Sequence, residues 1–203
     1  MKEIVIASGK GGAGKTSFTS ALMTIEPENV LLADCDVDAA NMAILAQPVV
    51  LEKHNFVSGF IAQIDQNKCI SCDKCLKNCS FNSIYTKNNH HYINKISCEG
   101  CGLCQDICTE KAIQLIDNYC GEYYISETKL NSILVHAYLH PGEDNSGKLV
   151  SIVREKAKKL AKEKNKEFIL IDAPPGIGCP VIASIQNTDL LVIVTEASLT
   201  GIK

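Results

Sequence analysis

The residues with the most evident chemistry lie near the start of the chain. Gly9-Lys10-Gly11-Gly12-Ala13-Gly14-Lys15-Thr16 fits the G-x-x-x-x-G-K-[ST] template. Glycines let backbone N–H groups curl around phosphate oxygens with no Cβ in the way. The helix expected after them adds partial positive charge at its N-terminus. In this frame Gly9 to Ser17 form a cradle, Lys15 neutralises β- and γ-phosphate oxygens, and Thr16 offers its hydroxyl to Mg²⁺. Acids stand where such a site needs them. Asp34, Asp36 and Asp38 end one apolar run and suit Mg²⁺ with its water shell, or the orienting of an attacking water. Asp38 has a second reading, as a helix cap. Asp172 ends the run Phe168-Ile169-Leu170-Ile171 and precedes Ala173-Pro174-Pro175-Gly176-Ile177-Gly178. It reads as a Walker B-type acid that binds Mg²⁺ through water, followed by a switch loop.

The second chemistry is that of sulfur. Cys69, Cys72, Cys75 and Cys79, and again Cys98, Cys101, Cys104 and Cys108, read C-x2-C-x2-C-x3-C. The flanks repeat too, Ile64 with Ile93 and Ser83-Ile84 with Ala112-Ile113. Such doubling marks a pseudo-symmetric module. Eleven cysteines with no secretion pattern argue for metal or cluster ligation in a reducing compartment, not for disulfides. Zinc prefers two separated pairs over four cysteines packed into eleven residues. Cys35 reads as a packed strand-end residue, and Cys120 as structural. His54, His90 and His91 read as exposed loop residues.

The elements that must position these groups alternate between strand and helix. Glu3–Ala7, Asn29–Ala33, Phe168–Asp172 and Leu190–Glu196 read as buried core strands. Tyr123–Ile125 and Ile133–Leu139 add two more. A helix is expected from Thr16 to about Ile25, ended by Pro27. Another is capped by Asn145 or Ser146 and runs to about Lys164. Its apolar stripe is Leu149, Ile152, Val153, Ala157, Leu160 and Ala161. Arg154 and five lysines fall on the opposite face, read as solvated because Glu155 and Glu163 interrupt it. Between residues 49 and 118 the rhythm breaks and the cysteine module intervenes. The expected division is therefore 1–48, an insert at 49–118, and 119–203. A chain of 203 residues can bury one good core with a small second module. The net charge of −3 gives no general attraction to nucleic acid, and no apolar run is long enough to span a bilayer.

The strings K-G-G-A-G-K-T, D-C-D-V-D-A-A-N, N-S-G-K-L-V and D-A-P-P-G-I-G-C-P, with the doubled cysteine run between them, resemble the MinD/ParA/nitrogenase-iron-protein superfamily of P-loop ATPases. The resemblance implies a doubly wound, mostly parallel α/β sheet with an inserted α+β ferredoxin-like domain. It implies a deviant Walker A in which Lys10 reaches the phosphates bound by a second subunit, so that ATP closes a homodimer. It makes Asp36 the water-positioning residue and Asp34 its structural or metal-shell neighbour. Lys10, Lys15 and Asp36 are then the catalytic set, and Thr16 and Asp172 hold Mg²⁺. Superfamily members continue with further strands and helices, so the C-terminal part reads as incomplete. The cysteine run itself resembles a bacterial two-cluster ferredoxin. By that resemblance Cys69, Cys72, Cys75 and Cys108 hold one [4Fe–4S] cluster, and Cys98, Cys101, Cys104 and Cys79 hold the other. The proline usual after the fourth cysteine is Ser80 in one half and Thr109 in the other. Cys179 follows the Walker B acid as one cluster ligand does in the nitrogenase iron protein, but no partner cysteine stands near Asn145–Lys148. It is read as a buried or redox-inert cysteine in preference to an axial ligand.

Two functions stay open on these residues. One is an ATP-gated electron-transfer dimer that serves a partner protein. The other is a scaffold or carrier ATPase for iron–sulfur or metal-cofactor assembly. A MinD-like positioning switch would need an amphipathic anchor or a strongly basic surface. The expected location is cytoplasmic, with no nucleic-acid partner and no stable membrane anchor.

Overall fold

The computed structural model describes residues 1–197. In chain order its elements are β1 (Lys2–Ala7), α1 (Lys15–Met23), β2 (Val30–Asp34), α2 (Met42–Ala46), β3 (Val49–Ile64), α3 (Lys74–Asn78), β4 (Ile84–Lys87), β5 (His90–Ile93), α4 (Leu103–Asp106), β6 (Ile113–Glu127), β7 (Ile133–Leu139), α5 (Ser146–Glu163), β8 (Phe168–Asp172), α6 (Cys179–Ile185) and β9 (Leu190–Ile193). Seven strands hydrogen-bond in the order β3-β6-β7-β2-β8-β1-β9, and β4 pairs with β5 in a separate sheet. The pairs β7–β2, β2–β8, β8–β1 and β1–β9 are parallel, whereas β6 runs antiparallel to β7. The mostly parallel α/β sheet expected from the alternating runs is therefore the one observed.

Why these runs make a parallel sheet is visible in their burial. All five residues of β2 are buried, as a strand covered on both faces requires. Ile6, Leu32, Leu134 and Leu170 meet Met23 and Met42 in one core. α5 lays Leu149, Val150, Val153, Ala157 and Ala161 into the interior. Asn145 stands at its N-cap in the left-handed region and makes no side-chain cap bond, contrary to the capping expectation.

Arg154 is a second correction. It is 7 % exposed, not on the solvated face. Its guanidinium donates to Glu3 Oε2 at 2.6 Å and to the carbonyls of Ala183 and Gln186. Lys158 holds the other oxygen of Glu3 at 2.8 Å. These partners meet the two terminal nitrogens, whereas Nε is buried without one, and all of them lie far from Arg154 in sequence. Removing one partner of a buried pair costs about 3–5 kcal/mol. Arg154→Ala is expected to lower unfolding free energy by about 3 kcal/mol in urea titration, because Lys158 still serves Glu3.

β9 also departs from expectation. It pairs with β1 at the margin of the sheet, and Leu190, Leu191 and Ile193 are exposed among the described residues. The strand spans Leu190–Ile193, shorter than the expected run to Glu196.

His136 on β7 is buried, with Nε2 3.0 Å from Ser126 Oγ and its ring stacked on Tyr124. Burial pushes its pKa down to about 4 from an ordinary 6.5. The folded chain therefore takes up this proton later than the unfolded chain as pH falls. The associated stability is complete above about pH 6.5 and lost as pH drops toward about 4. The full difference is about 3 kcal/mol. His136→Asn is expected to flatten the pH dependence of Tm across that window relative to the parent chain.

The chain divides into two compact units, Met1–Phe56 with the described residues from Gly121 onward, and Val57–Cys120. It passes from the first to the second within β3 and returns within β6. Inside the second unit the sequence repeat is a structural repeat. Asp65 N donates to Ala112 O, and 29 residues on Asn94 N donates to Ser83 O, both at 2.7 Å. Left-handed residues recur at the same offset: Ser71 and Gly100, Asp73 and Gly102, Asn82 and Lys111. Gly100 is obligatory, since a Cβ there would lie 2.0 Å from Phe60 O. Ala62, Ile64, Cys75, Ile84 and Ile113 form this unit's core.

Candidate nucleotide and cluster sites

β1 ends at Ala7 and α1 begins at Lys15, so the glycine-rich loop spans the corner between a buried strand and a helix N-terminus. Gly12 and Gly14 sit at φ 80° and 92°, which side chains disfavour. The corner opens into a cavity of about 620 Å³. Gly11, Gly12, Gly14, Lys15, Thr16 and Ser17 wall one side, with Asp36 and Asp38 also present. Pro174 and Pro175 of the loop after β8 close it from another direction. Gly9, Lys10 and Ala13 are not part of this wall, and Lys10 Nζ meets Glu196 Oε2 instead.

Asp34 and Asp172 are register partners at the ends of neighbouring strands. Thr16 Oγ1 donates to Asp172 Oδ2 at 2.6 Å, and the buried Thr19 lies 3.5 Å from Oδ1. Burial pushes the Asp172 carboxyl up to about 6 against the pull of Thr16 and Lys15. Asp34 is pushed up to about 8 by burial and then by Asp172. Two buried carboxyls side by side, one already bonded to a hydroxyl, form a donor set that suits Mg²⁺. Asp34 also accepts from Asp36 N at 3.1 Å and from Met42 N at 3.2 Å. It thereby serves the start of α2. Asp38 does not cap that helix, whose N-cap position is Asn41, and instead faces the cavity. Burial raises Asp36 and Lys15 opposes it. Thr19, Asn41, Ile44 and Leu45 also belong to the site and were not singled out from sequence. Thr19 could have been found by helical spacing, one turn beyond Thr16 on the same face.

The second unit contains two cysteine-lined cavities. One is lined by Cys69, Cys72, Cys75 and Cys108, the other by Cys79, Cys98, Cys101 and Cys104. α3 and α4 begin at the left-handed residues Asp73 and Gly102 and carry Cys75 and Cys104. Backbone N–H groups donate to sulfur from Ala62 to Cys98, from Ser83 to Cys79 and from Ala112 to Cys108, at 3.3–3.4 Å. Burial, then Cys98 and Cys101, push the Cys104 thiol up to about 11. Burial raises Cys75 as well. Four sulfurs lining each cavity, with backbone N–H groups aimed at three of the eight, fit a cationic iron–sulfur core. All eleven cysteines are free thiols. Among the described residues no three His, Cys, Asp or Glu converge on a single metal ion. A cube holds its thiolates farther apart than one ion does.

Three cysteines lie outside these cavities. Cys35 is fully buried and its thiol is pushed up by burial. Cys120 is buried and donates to Ser58 O at 3.2 Å. Cys179 is exposed at the start of α6, which corrects the buried reading. His91 is corrected in the opposite sense: it lies on β5, is 1 % exposed and lines the Cys69 cavity. Comparing the two halves position by position would have flagged it. No helix among the described residues is long and apolar enough to cross a membrane.

The 4Fe-4S dicluster domain family matches residues 62–115. Over 202 residues the chain is 35 % identical to protein MJ0578 of Methanocaldococcus jannaschii, covering 98 % of this chain and 69 % of that one. Over 52 residues it is 38 % identical to pyruvate synthase subunit PorD of Methanothermobacter marburgensis, or 26 % of this chain and 60 % of that one. Among solved structures, an ATP complex of a Cyanothece McdA variant is similar at TM-score 0.50 and 18 % identity, covering 100 % of this chain and 59 % of its own. The chain thus spans less than two thirds of the length of that structure. At 35 % identity over 69 % of its length the chain belongs to the family of MJ0578, and in it a McdA-like α/β fold is interrupted by a 4Fe–4S dicluster domain.

Proposed function

We propose that this chain binds and hydrolyses Mg-ATP as a homodimer and uses the nucleotide cycle to control electron delivery to a partner protein. The observation that carries this reading is the coexistence of a phosphate cradle, with Thr16 already on Asp172, and two separate four-cysteine cavities. Lys15 holds phosphate oxygens, and Thr16 and Asp172 hold Mg²⁺. Asp36 orients the attacking water. Lys10 leaves Glu196 and reaches the phosphates bound by the second copy. Cys69, Cys72, Cys75 and Cys108 hold one cluster, and Cys98, Cys101, Cys104 and Cys79 hold the other. Bound there, the clusters supply one-electron storage at low potential. The likeness to an ATP-bound McdA and to a pyruvate synthase subunit supports each half of the reading.

The test uses anaerobically reconstituted protein, its clusters first reduced with dithionite and the excess reductant removed, with a one-electron acceptor. Acceptor reduction is expected to accelerate with ATP and to stay slow with a non-hydrolysable analogue. If ATP turnover and acceptor reduction proceed independently, control by nucleotide is wrong. Iron passing to an apo-protein in place of electrons would favour the carrier reading.

A further inference from the structure

The two cysteine cavities are built by one repeated fold, yet the side chains facing them are not alike. Each position in the first half has a counterpart 29 residues on. His91 lines the Cys69/Cys72/Cys75/Cys108 cavity, whereas its counterpart Ala62 lines the other. The His91 side chain is 2 % exposed. Its Nδ1 lies 3.0 Å from Thr86 Oγ1 and its Nε2 lies 2.9 Å from Asp73 Oδ1. The Nε2 contact is short but off the line of a full hydrogen bond, so this buried nitrogen keeps spare donor capacity. In the tautomer whose Nδ1 accepts from Thr86 Oγ1, Nε2 carries the ring proton and is the donor.

In the other half this arrangement is replaced by carbon. Thr86 corresponds to Leu115 and Asp73 to Gly102. A Cβ on Gly102 would lie 3.6 Å from Leu115 Cδ1, so the space that Asp73 serves is closed by Leu115. The charged wall residues follow the same split. Lys74 and Glu110 flank the His91 cavity and cancel, where the other cavity has Leu103 and Phe81. Glu99 adds an uncompensated negative charge to that other wall, where the His91 cavity has Ile70.

We propose that His91, fixed by Asp73 and Thr86, makes the two cluster sites unequal and gives the Cys69/Cys72/Cys75/Cys108 site the higher reduction potential. Reduction adds a negative charge. Asp73 beside His91 and Glu99 in the other wall each place one carboxylate near a site, so the buried N–H donor decides the difference: it stabilises the added charge, and the carbon that replaces it does not. His91 is thus a positioning and tuning residue, not a ligand. The inference rests on the reading that each cavity holds a cluster.

Potentiometric titration of the anaerobically reconstituted full chain, followed by EPR, tests it. The parent chain is expected to show two separated reduction steps. Cys101→Ser, which breaks the other site, is expected to leave the upper step in place. His91→Ala, which installs the residue of the other half, is expected to move the upper step down toward an unmoved lower step. His91→Gln, which keeps an N–H donor, should recover much of the separation. Lys74→Leu, at an exposed position, should shift the same step in the same direction without disturbing the core, and decides the matter if His91→Ala loses iron. Coincident steps in the parent, or an upper step indifferent to these changes, overturn the proposal. Iron analysis keeps the two ideas apart, since a parent chain lacking either cluster overturns the cluster reading itself.

Discussion

Lys10→Ala is expected to slow ATP turnover by roughly 10³-fold or more while nucleotide binding stays within about three-fold of the parent. Lys15→Ala is expected to abolish both. The difference follows from where the two lysines stand. Lys15 opens α1, is 6 % exposed and lines the phosphate cavity, so every bound nucleotide meets it. Lys10 is turned away toward Glu196, outside that cavity. A lysine so placed contributes little to binding by its own subunit. Supplied to a second subunit's phosphates, it would neutralise charge that develops only in the transition state, as an arginine finger does. Steady-state turnover with a fluorescent-nucleotide binding curve separates the two roles. Parent-like turnover in Lys10→Ala would remove the trans lysine, and with it the argument for a catalytic dimer.

The second large effect concerns which cysteines act together. Each cavity takes three sulfurs from one run and the fourth from the other. Replacing Cys69 and Cys108 by serine therefore strikes one site twice and is expected to lower iron from roughly eight to roughly four atoms per chain. Replacing Cys69 and Cys79 strikes both sites and is expected to leave little iron at all. If each run instead served its own cluster, the results of the two double variants would be exchanged. Iron and sulfide analysis after anaerobic reconstitution reads the outcome directly, and the EPR of the four-iron protein shows which signal survives.

What could be read from the chain, and what could not, divides along physical lines. The glycine-rich corner was legible because backbone shape there depends on glycines at fixed spacing, Gly12 and Gly14 at positive φ among them. The crossed cysteine grouping came from resemblance to two-cluster ferredoxins, and the cavities repeat it. His91 was misread because Asn88, Asn89 and His90 make its neighbourhood look like a loop. On β5 alternate residues face opposite ways, which buries His91 and leaves Tyr92 at the surface. Arg154 was misread because lysines surround it, while the acid that explains its burial, Glu3, lies 151 positions earlier. β9 is apolar in composition, yet three of its four residues are exposed among the described residues. Whether such a strand is covered depends on its neighbours, and no local pattern records those.

The excursion that carries the cysteines begins in one strand and ends in another, and β3 and β6 are hydrogen-bonded neighbours. Departure and return therefore share one doorway. A module hung in this way can be gained, lost or exchanged over generations by healing two adjacent joints, with the order of the remaining parallel strands left unthreaded. A lineage can thus graft such a unit onto an existing sheet without rebuilding the sheet.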